Sequence, residues 1–313
     1  MKLYKPKFWE DKRNILSIIL YPFSIIYKTL SNLKKSFTKS IKFKTYVICV
    51  GNINLGGTGK TPLTIFIANF LKRSGKKTAV IRKFYKNHAD EHLMTREYFK
   101  DLLLSNNRSN AVDNAVRQGF KYVVLDDGFQ DYSIKKNVNI ICFNSEQLIG
   151  NGFIFPSGPL RDDIASLKDA NIVLINGNKV KEFEEKILKI NKSISIYYSK
   201  YEPVNIEEFR NKSLLAFAGI ANPKNFFNLL EKNNLKVSKK MVFPDHYRFS
   251  KKEILRVVKF AEKNSLEIIM TEKDYFKVKK FNLTNLKFLK VKLKIENENN
   301  FLKNILVNDN EII

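Results

Sequence analysis

One stretch dictates most of what this chain can fold into: TYVICVGNINLGGTGKTP, from Thr45 to Pro62. A β-rich apolar run, Tyr46 to Val50, enters a glycine-rich turn, and an apolar-periodic helix leaves it (Leu63, Ile65, Phe66, Ile67, Phe70, Leu71). Strand, loop, helix is the context in which a phosphate-binding P-loop works. Gly56, Gly57 and Gly59 let the backbone bend so that successive N–H groups point at phosphate oxygens, with a helix N-terminus behind them. The predicted nucleotide cradle is Asn54, Leu55, Gly56, Gly57, Thr58, Gly59, Lys60 and Thr61. Lys60 reaches the β- and γ-phosphates, and the Thr61 hydroxyl ligates Mg²⁺. The usual pattern opens with glycine where this chain has Asn54, a residue that tolerates a left-handed backbone better than most.

A second signal pairs with the first. Tyr122-Val-Val-Leu-Asp-Asp runs four apolar positions into acid, the form of a strand that delivers a carboxylate to the nucleotide's metal ion at the carboxyl edge of a parallel sheet. Asp126 or Asp127 is that ligand; the sequence does not choose between them. The surrounding chain alternates strand and helix. Strands are expected near Lys77–Ile81, Val138–Phe143 and Asn171–Ile175, and helices over Leu93–Leu104 and Asn110–Gln118. Asp90 and Glu91 close a polar loop that begins at Arg82. A Gly/Pro-rich loop, Gly150 to Asp163, carries Arg161, a candidate phosphate clamp. Lys179 to Lys200 reads as a charged helix and an edge strand, and the polar run Tyr201–Lys212 as a boundary. Beyond it Leu214–Ala218, Glu267–Thr271 and Leu286–Leu293 read as strands, and Pro223–Leu230 and Lys251–Asn264 as helices. Alternation of this kind predicts a P-loop NTPase-like parallel α/β domain followed by a second, smaller α/β domain.

The N-terminal segment is different in character. Lys2, Lys5, Lys7, Lys12 and Arg13 precede an apolar run, Ile15 to Tyr27, and Lys34, Lys35, Lys39, Lys42 and Lys44 follow it. The run is shorter than the ~20 residues of a spanning helix. It also lacks a small-residue cleavage site, so it does not read as a removable signal peptide. Its polar residues, Asn14, Ser17, Tyr21, Ser24, Lys28, Ser31 and Lys35, recur in steps of three and four, a narrow stripe on an otherwise apolar helix that Pro22 could kink. Such a helix suits the plane of an anionic lipid surface, with its apolar face in the acyl boundary and lysines at the headgroups. The expected organisation is a membrane-associating segment over 1–44, a nucleotide-binding domain over 45–205 and a C-terminal α/β domain over 206–313.

Composition narrows the function classes. A chain with 56 Lys+Arg against 31 Asp+Glu, net +25, can favour nucleic acid, membranes or acidic substrates. Its lysines do not interleave with aromatics in one block, so no nucleic-acid partner is expected. Cys49 and Cys142 sit in apolar strand-like runs, as buried thiols of a reducing compartment do, and three scattered histidines do not make a metal cluster by spacing. Thr271-Glu-Lys-Asp274 has Glu and Lys in the wrong order for a guanine-reading motif, which argues against a GTPase.

Taken in order, the motifs resemble the tetraacyldisaccharide 4'-kinase family of lipid A biosynthesis over nearly the whole chain. The resemblance rests on Pro6–Trp9, Gly51–Pro62, Asp126–Gln130, Gly152 through Arg161, Ala216–Ile220, Asp245-His246 and Thr271–Asp274. It implies transfer of the ATP γ-phosphoryl to the 4'-hydroxyl of an acylated glucosamine disaccharide 1-phosphate, with Mg²⁺, peripheral to the cytoplasmic face of the inner membrane. By matching positions it implies Asp90 as the base that accepts the sugar proton, His246 as its partner and Lys60 as the phosphate-neutralising cation. Glu91, Gln130 and Arg161 are implied as substrate contacts. Departures from the family include Lys83 where glycine is usual, Asp131 where histidine is, and Asp162 where glutamate is.

Overall fold

The computed structural model describes residues 6–11, 13–85, 89–220, 222–245 and 247–307. The strands are β1 (Tyr46–Gly51), β2 (Thr78–Lys83), β3 (Leu102–Ser105), β4 (Tyr122–Asp126), β5 (Val138–Asn144), β6 (Ile172–Asn176), β7 (Ser195–Pro203), β8 (Ser213–Ala218), β9 (Lys236–Val242), β10 (Glu267–Thr271), β11 (Leu286–Leu289) and β12 (Val291–Ile295). The helices are α1 (Ile15–Phe37), α2 (Lys60–Arg73), α3 (Ala89–Tyr98), α4 (Arg108–Arg117), α5 (Lys181–Ile190), α6 (Pro223–Lys232), α7 (Lys251–Lys263), α8 (Glu272–Val278) and α9 (Glu298–Ile305).

These elements group into two compact units that do not follow the linear boundaries expected from sequence. The first takes Pro6–Phe84, Tyr98–Lys200 and the chain from Leu293 onward; the second takes Tyr85–Glu97 and Tyr201–Lys292.

The first unit is built on an eight-stranded sheet in the order β12-β7-β6-β5-β1-β4-β2-β3. Neighbours from β7 through β3 are parallel. Every residue of β1 is buried, as expected of a central parallel strand covered on both faces. From β1 the chain steps outward to β2 and β3, returns to β4 beside β1, then continues on β1's other flank with β5, β6 and β7. The direction of winding reverses at β1. In open α/β sheets the crevice at the carboxyl ends of such strands binds ligands. Gly51 closes β1, and a Cβ there would come within 2.5 Å of the Phe129 Cβ, so only glycine lets β1 and the loop after β4 meet.

Two sequence expectations are corrected in this unit. Leu102–Leu104 is not the tail of a helix but part of edge strand β3, since the helix before it ends at Tyr98. β7 is not an edge, because β12 lies outside it.

Helix α1 belongs to the first unit and runs 23 residues without interruption at Pro22. It is therefore longer than the apolar run that suggested it. Its polar stripe points inward. Ser17 and Ser24 are 0% and 3% exposed, while Ile15, Ile18, Ile19, Phe23, Ile26, Leu30 and Phe37 are all more than half exposed. The Ser24 hydroxyl donates to the Ile154 carbonyl (2.7 Å) and accepts from the Ser157 N–H (3.0 Å). The Asn151 amide donates to the Ser17 hydroxyl (3.0 Å) and to the Phe8 and Ser157 carbonyls. Lys28 pairs with Asp163 at 2.5 Å and Lys35 with Asp169 at 2.7 Å. The Gly/Pro-rich loop is thus the seat of α1, and Trp9, whose indole donates to the Pro156 carbonyl (3.0 Å), packs on the same loop. Both lysines pair with acids of the protein itself, although their side chains stay 46% and 37% exposed.

The second unit has a four-stranded parallel sheet, β11-β10-β8-β9. Alternate residues of β8 feed two cores. Leu214, Ala216 and Ala218 pack with Phe226, Phe227 and Leu230 of α6, while Leu215 and Phe217 pack with Ile254 and Val258 of α7. Strand β9 escapes sequence reading because its run KVSKKMV puts lysines on an exposed edge, where they also discourage edge-to-edge pairing. The expected terminal strand Leu286–Leu293 is two strands in two different sheets, β11 and β12.

Candidate active site

The loop after β1 carries the first unit's chemistry. Gly56 and Gly59 have φ of 117° and 86°, so both require glycine, and α2 starts at Lys60 immediately after. Asn54 is not left-handed. It forms an isolated antiparallel bridge to Leu160, its side-chain amide donates to the Leu148 carbonyl, and Leu55 N–H donates to Pro159 O (2.7 Å). An extended residue held on both sides needs no glycine, which is why the departure from the usual pattern is tolerated.

Three buried oxygens around this loop have no hydrogen-bond partner among the described residues: Asn54 Oδ1, Thr58 Oγ1 and Asp126 Oδ1. Buried polar atoms are rarely left so, and a cluster at a glycine-rich turn marks a place where a ligand completes the bonding. The Thr61 hydroxyl donates to Asp126 Oδ2 (3.0 Å), and Arg82 Nη1 lies 3.0 Å from the same oxygen. Asp126 is 1% exposed. Its orphan oxygen and the Thr61 hydroxyl are hard donors side by side, and they fit a Mg²⁺ ion that takes its remaining ligands from phosphate and water. Among the described residues no three His, Cys, Asp or Glu side chains converge.

Asp127 has a different environment. Its backbone is left-handed (φ 56°), and its carboxylate is held by Arg161 through Nη2 (2.8 Å) and Nη1 (3.2 Å), with Lys60 Nζ at 3.6 Å. Burial opposes ionisation, but the Lys60 and Arg161 cations outweigh it and hold the carboxyl well below the usual carboxylate range. Arg161 also bonds the Asn54 carbonyl (3.2 Å) and the Asn52 side chain, so its guanidinium ties the P-loop entry to the end of β4. Gln130 donates to the Asn52 carbonyl (2.9 Å). Two of the three residues expected to touch substrate, Gln130 and Arg161, are engaged with the loop itself.

Sequence reasoning missed Arg108, a nearly buried residue opening α4, which donates to the Asp127 carbonyl (2.7 Å) and supports this turn from behind. Of the departing positions, Asp131 accepts from the Ser133 hydroxyl (2.6 Å), and Asp162 accepts from the Tyr132 hydroxyl (3.0 Å). Burial pushes the Asp162 carboxyl above its ordinary value. Cys49 and Cys142 are fully buried, and burial raises their thiols to about 11 and about 12, as inert core side chains.

Glu91 lies in the second unit. It stands in the first turn of α3, not in a loop, and pairs with Lys273 Nζ at 2.7 Å. Lys273 also reaches Asp245 Oδ1 at 3.2 Å. The backbone places Asp90 one residue before Glu91 in the same helix. The Asp90 side chain and all of His246 lie outside the described residues.

The family model for tetraacyldisaccharide-1-P 4'-kinase (LpxK) matches residues 16–309. The chain belongs to the tetraacyldisaccharide 4'-kinase family. A relative so named from Pelagibacter ubique is 41% identical over 99% of this chain and 99% of its own length. One from Rickettsia bellii is 30% identical over 99% of this chain and 100% of its own. In three dimensions the chain is similar to a crystal structure of LpxK from Aquifex aeolicus in complex with ATP, with a TM-score of 0.73 at 23% identity. That likeness covers 94% of this chain and 99% of that one. At that identity it shows the shared fold.

Proposed function

We propose that the protein transfers the γ-phosphoryl of ATP to the 4'-hydroxyl of a tetraacyldisaccharide 1-phosphate, a step of lipid A biosynthesis. The observation that carries this reading is the P-loop at the sheet's switch point, with unpartnered oxygens around it, in a chain that matches the family from end to end. Lys60 lies beside Asp127 at 3.6 Å, loosely enough to exchange that carboxylate for phosphate oxygens. In the transfer its ammonium neutralises charge on the β- and γ-phosphates while the loop amides position them. Thr61 and Asp126 are assigned as the residues that would hold Mg²⁺, which would supply positive charge to neutralise the phosphates. Asp127, already bound by two cations, is assigned to position Lys60 and Arg161. Asp90 accepts the proton of the sugar hydroxyl and His246 orients it, roles that rest on matching positions in the family.

Helix α1 suits a substrate that resides in a lipid bilayer. A helix docked by its polar stripe from Ser17 to Lys35 lies along the protein, and its free apolar face is free to enter a lipid surface. Length and composition alone would allow α1 to cross a membrane. Its docking through Ser17, Ser24, Lys28 and Lys35 favours the in-plane, monotopic arrangement.

The test is incorporation of label from γ-labelled ATP with Mg²⁺ into tetraacyldisaccharide 1-phosphate in mixed micelles, beside Lys60→Ala and Asp90→Ala. Label in the lipid that both substitutions abolish supports the kinase and the base together. ATP consumption without labelled lipid would refute the acceptor and leave the P-loop assignment standing.

A further inference from the structure

The Thr271-Glu-Lys-Asp274 quartet has no role in the transfer described above, yet its side chains are among the most constrained in the second unit. Thr271 caps α8, its hydroxyl accepting from the Asp274 N–H (3.2 Å). Asp274 is 0% exposed. It accepts from the Gly219 N–H (2.7 Å), the Thr271 hydroxyl (2.6 Å) and Lys277 Nζ (2.7 Å), while Lys277 also donates to the Gly219 carbonyl (2.7 Å). The first turn of α8 is therefore locked to the loop that follows β8. A buried carboxylate bonded by three donors is costly to disturb, so it makes a stiff base for its neighbours.

Lys273 projects from that stiff turn. Its side chain is 20% exposed and its ammonium bridges two acids from separate segments: Glu91 on α3 at 2.7 Å and Asp245 in the loop after β9 at 3.2 Å. Glu91 follows Asp90 directly, and Asp245 directly precedes His246. One cation thus holds the residue adjacent to each member of the assigned base and its partner. An exposed lysine–carboxylate pair contributes little. A mostly buried ammonium shared by two carboxylates on a locked helix is a different case, because removing it leaves two acids facing each other in a confined space.

We propose that Lys273 is a positioning residue for the phosphoryl transfer, fixing the first turn of α3 and the Asp245-His246 loop in register so that the base and its partner meet. This rests on the kinase reading and on the roles assigned to Asp90 and His246. Its ion pairs are to Glu91 from α3 and Asp245 from the loop after β9, whereas Asp274 and Lys277 on α8 pair with each other.

The experiment compares wild type, Lys273→Met and Lys273→Arg in the lipid-labelling assay, with kcat and the KM for ATP measured across pH. Misplacing a catalytic group by about an ångström costs about 100-fold. The expected result for Lys273→Met is a kcat about 10- to 100-fold lower with the KM for ATP changed less than about twofold, because the P-loop residues are untouched. The acidic limb of its kcat profile should move to higher pH by about half a unit or more, since loss of a nearby cation makes a carboxylate easier to protonate. Lys273→Arg should restore part of the rate and most of the limb. A purely structural lysine would lower the melting temperature without moving the limb. Asp245→Asn, which removes one partner and keeps the ammonium, serves if Lys273→Met does not fold, and should lower kcat in the same sense. An active wild type whose kcat and acidic limb are unaltered in the folded variants overturns the inference alone. A wild type that labels no lipid overturns the kinase reading and this inference with it.

Discussion

The outward apolar face of α1 yields a prediction whose size follows from exposure. Ile19 and Ile26 are 61% and 57% exposed and, seven residues apart, share one helix face. Neither makes the contacts that dock α1, which run through Ser17, Ser24, Lys28 and Lys35. Burying a whole isoleucine side chain contributes about 1.5–3 kcal/mol, so about three-fifths of one is worth about 1–2 kcal/mol. Replacing both by serine should therefore remove about 2–4 kcal/mol of partition free energy, a loss of about 30- to 700-fold in vesicle affinity. Stability in solution should change by less than about 0.5 kcal/mol per site, because the residues are exposed already. Co-flotation with vesicles of phosphatidylethanolamine and phosphatidylglycerol, at matched far-ultraviolet circular dichroism, measures it. A double variant that floats within about threefold of wild type would show that this face does not enter the bilayer.

Three further outcomes follow. Gly51→Ala forces a Cβ to within 2.5 Å of the Phe129 Cβ and 3.2 Å of its backbone nitrogen, so urea denaturation should show a loss of about 1–3 kcal/mol; an unchanged midpoint would mean that β1 and the loop after β4 are not packed as described. Asp126→Asn should weaken the dependence of the rate on Mg²⁺, with ATP binding in the absence of metal little changed. A metal titration that matches wild type would move the metal role away from Asp126. Asp127 has a depressed carboxyl in the folded protein, so its ionic contribution is complete above the unfolded value of ~3.9 and fades as pH falls below it. The stability gap between wild type and Asp127→Asn should accordingly stay constant above about pH 5 and narrow below about pH 4. A gap that widens on acidification contradicts the Lys60 and Arg161 pairing.

Much of the first unit was legible in the chain because its signals are local. The Gly-rich turn between an all-apolar strand and an apolar-periodic helix specifies its own geometry, and Tyr122 to Asp126 alternates with nothing polar until its acid. What the sequence hid depends on partners far along the chain. The serine stripe of α1 was readable as a stripe, but its direction was not, since only Asn151, Ile154 and Ser157 show that it faces the protein. Leu102 to Leu104 carries the same apolar signal as a helix face, and only pairing with β2 makes it a strand. The different surroundings of Asp126 and Asp127, on which the proposed metal role rests, come from Thr61 and Arg161, which are 65 and 34 residues from the acids they bond.

The route of the chain has a consequence for its synthesis. The sheet that carries the P-loop is closed by β12, and the Tyr46 hydroxyl at its centre bonds the Ile305 carbonyl (3.0 Å), 259 residues later. At ~5–20 residues per second, the ribosome needs about 4 to 18 seconds to pass from Pro203 to Val291. Throughout that interval the outer edge of β7 has no strand to pair with, and unpaired strand edges are templates for misassociation. The nascent protein thus carries an open strand edge after its P-loop has been made and before β12 has emerged.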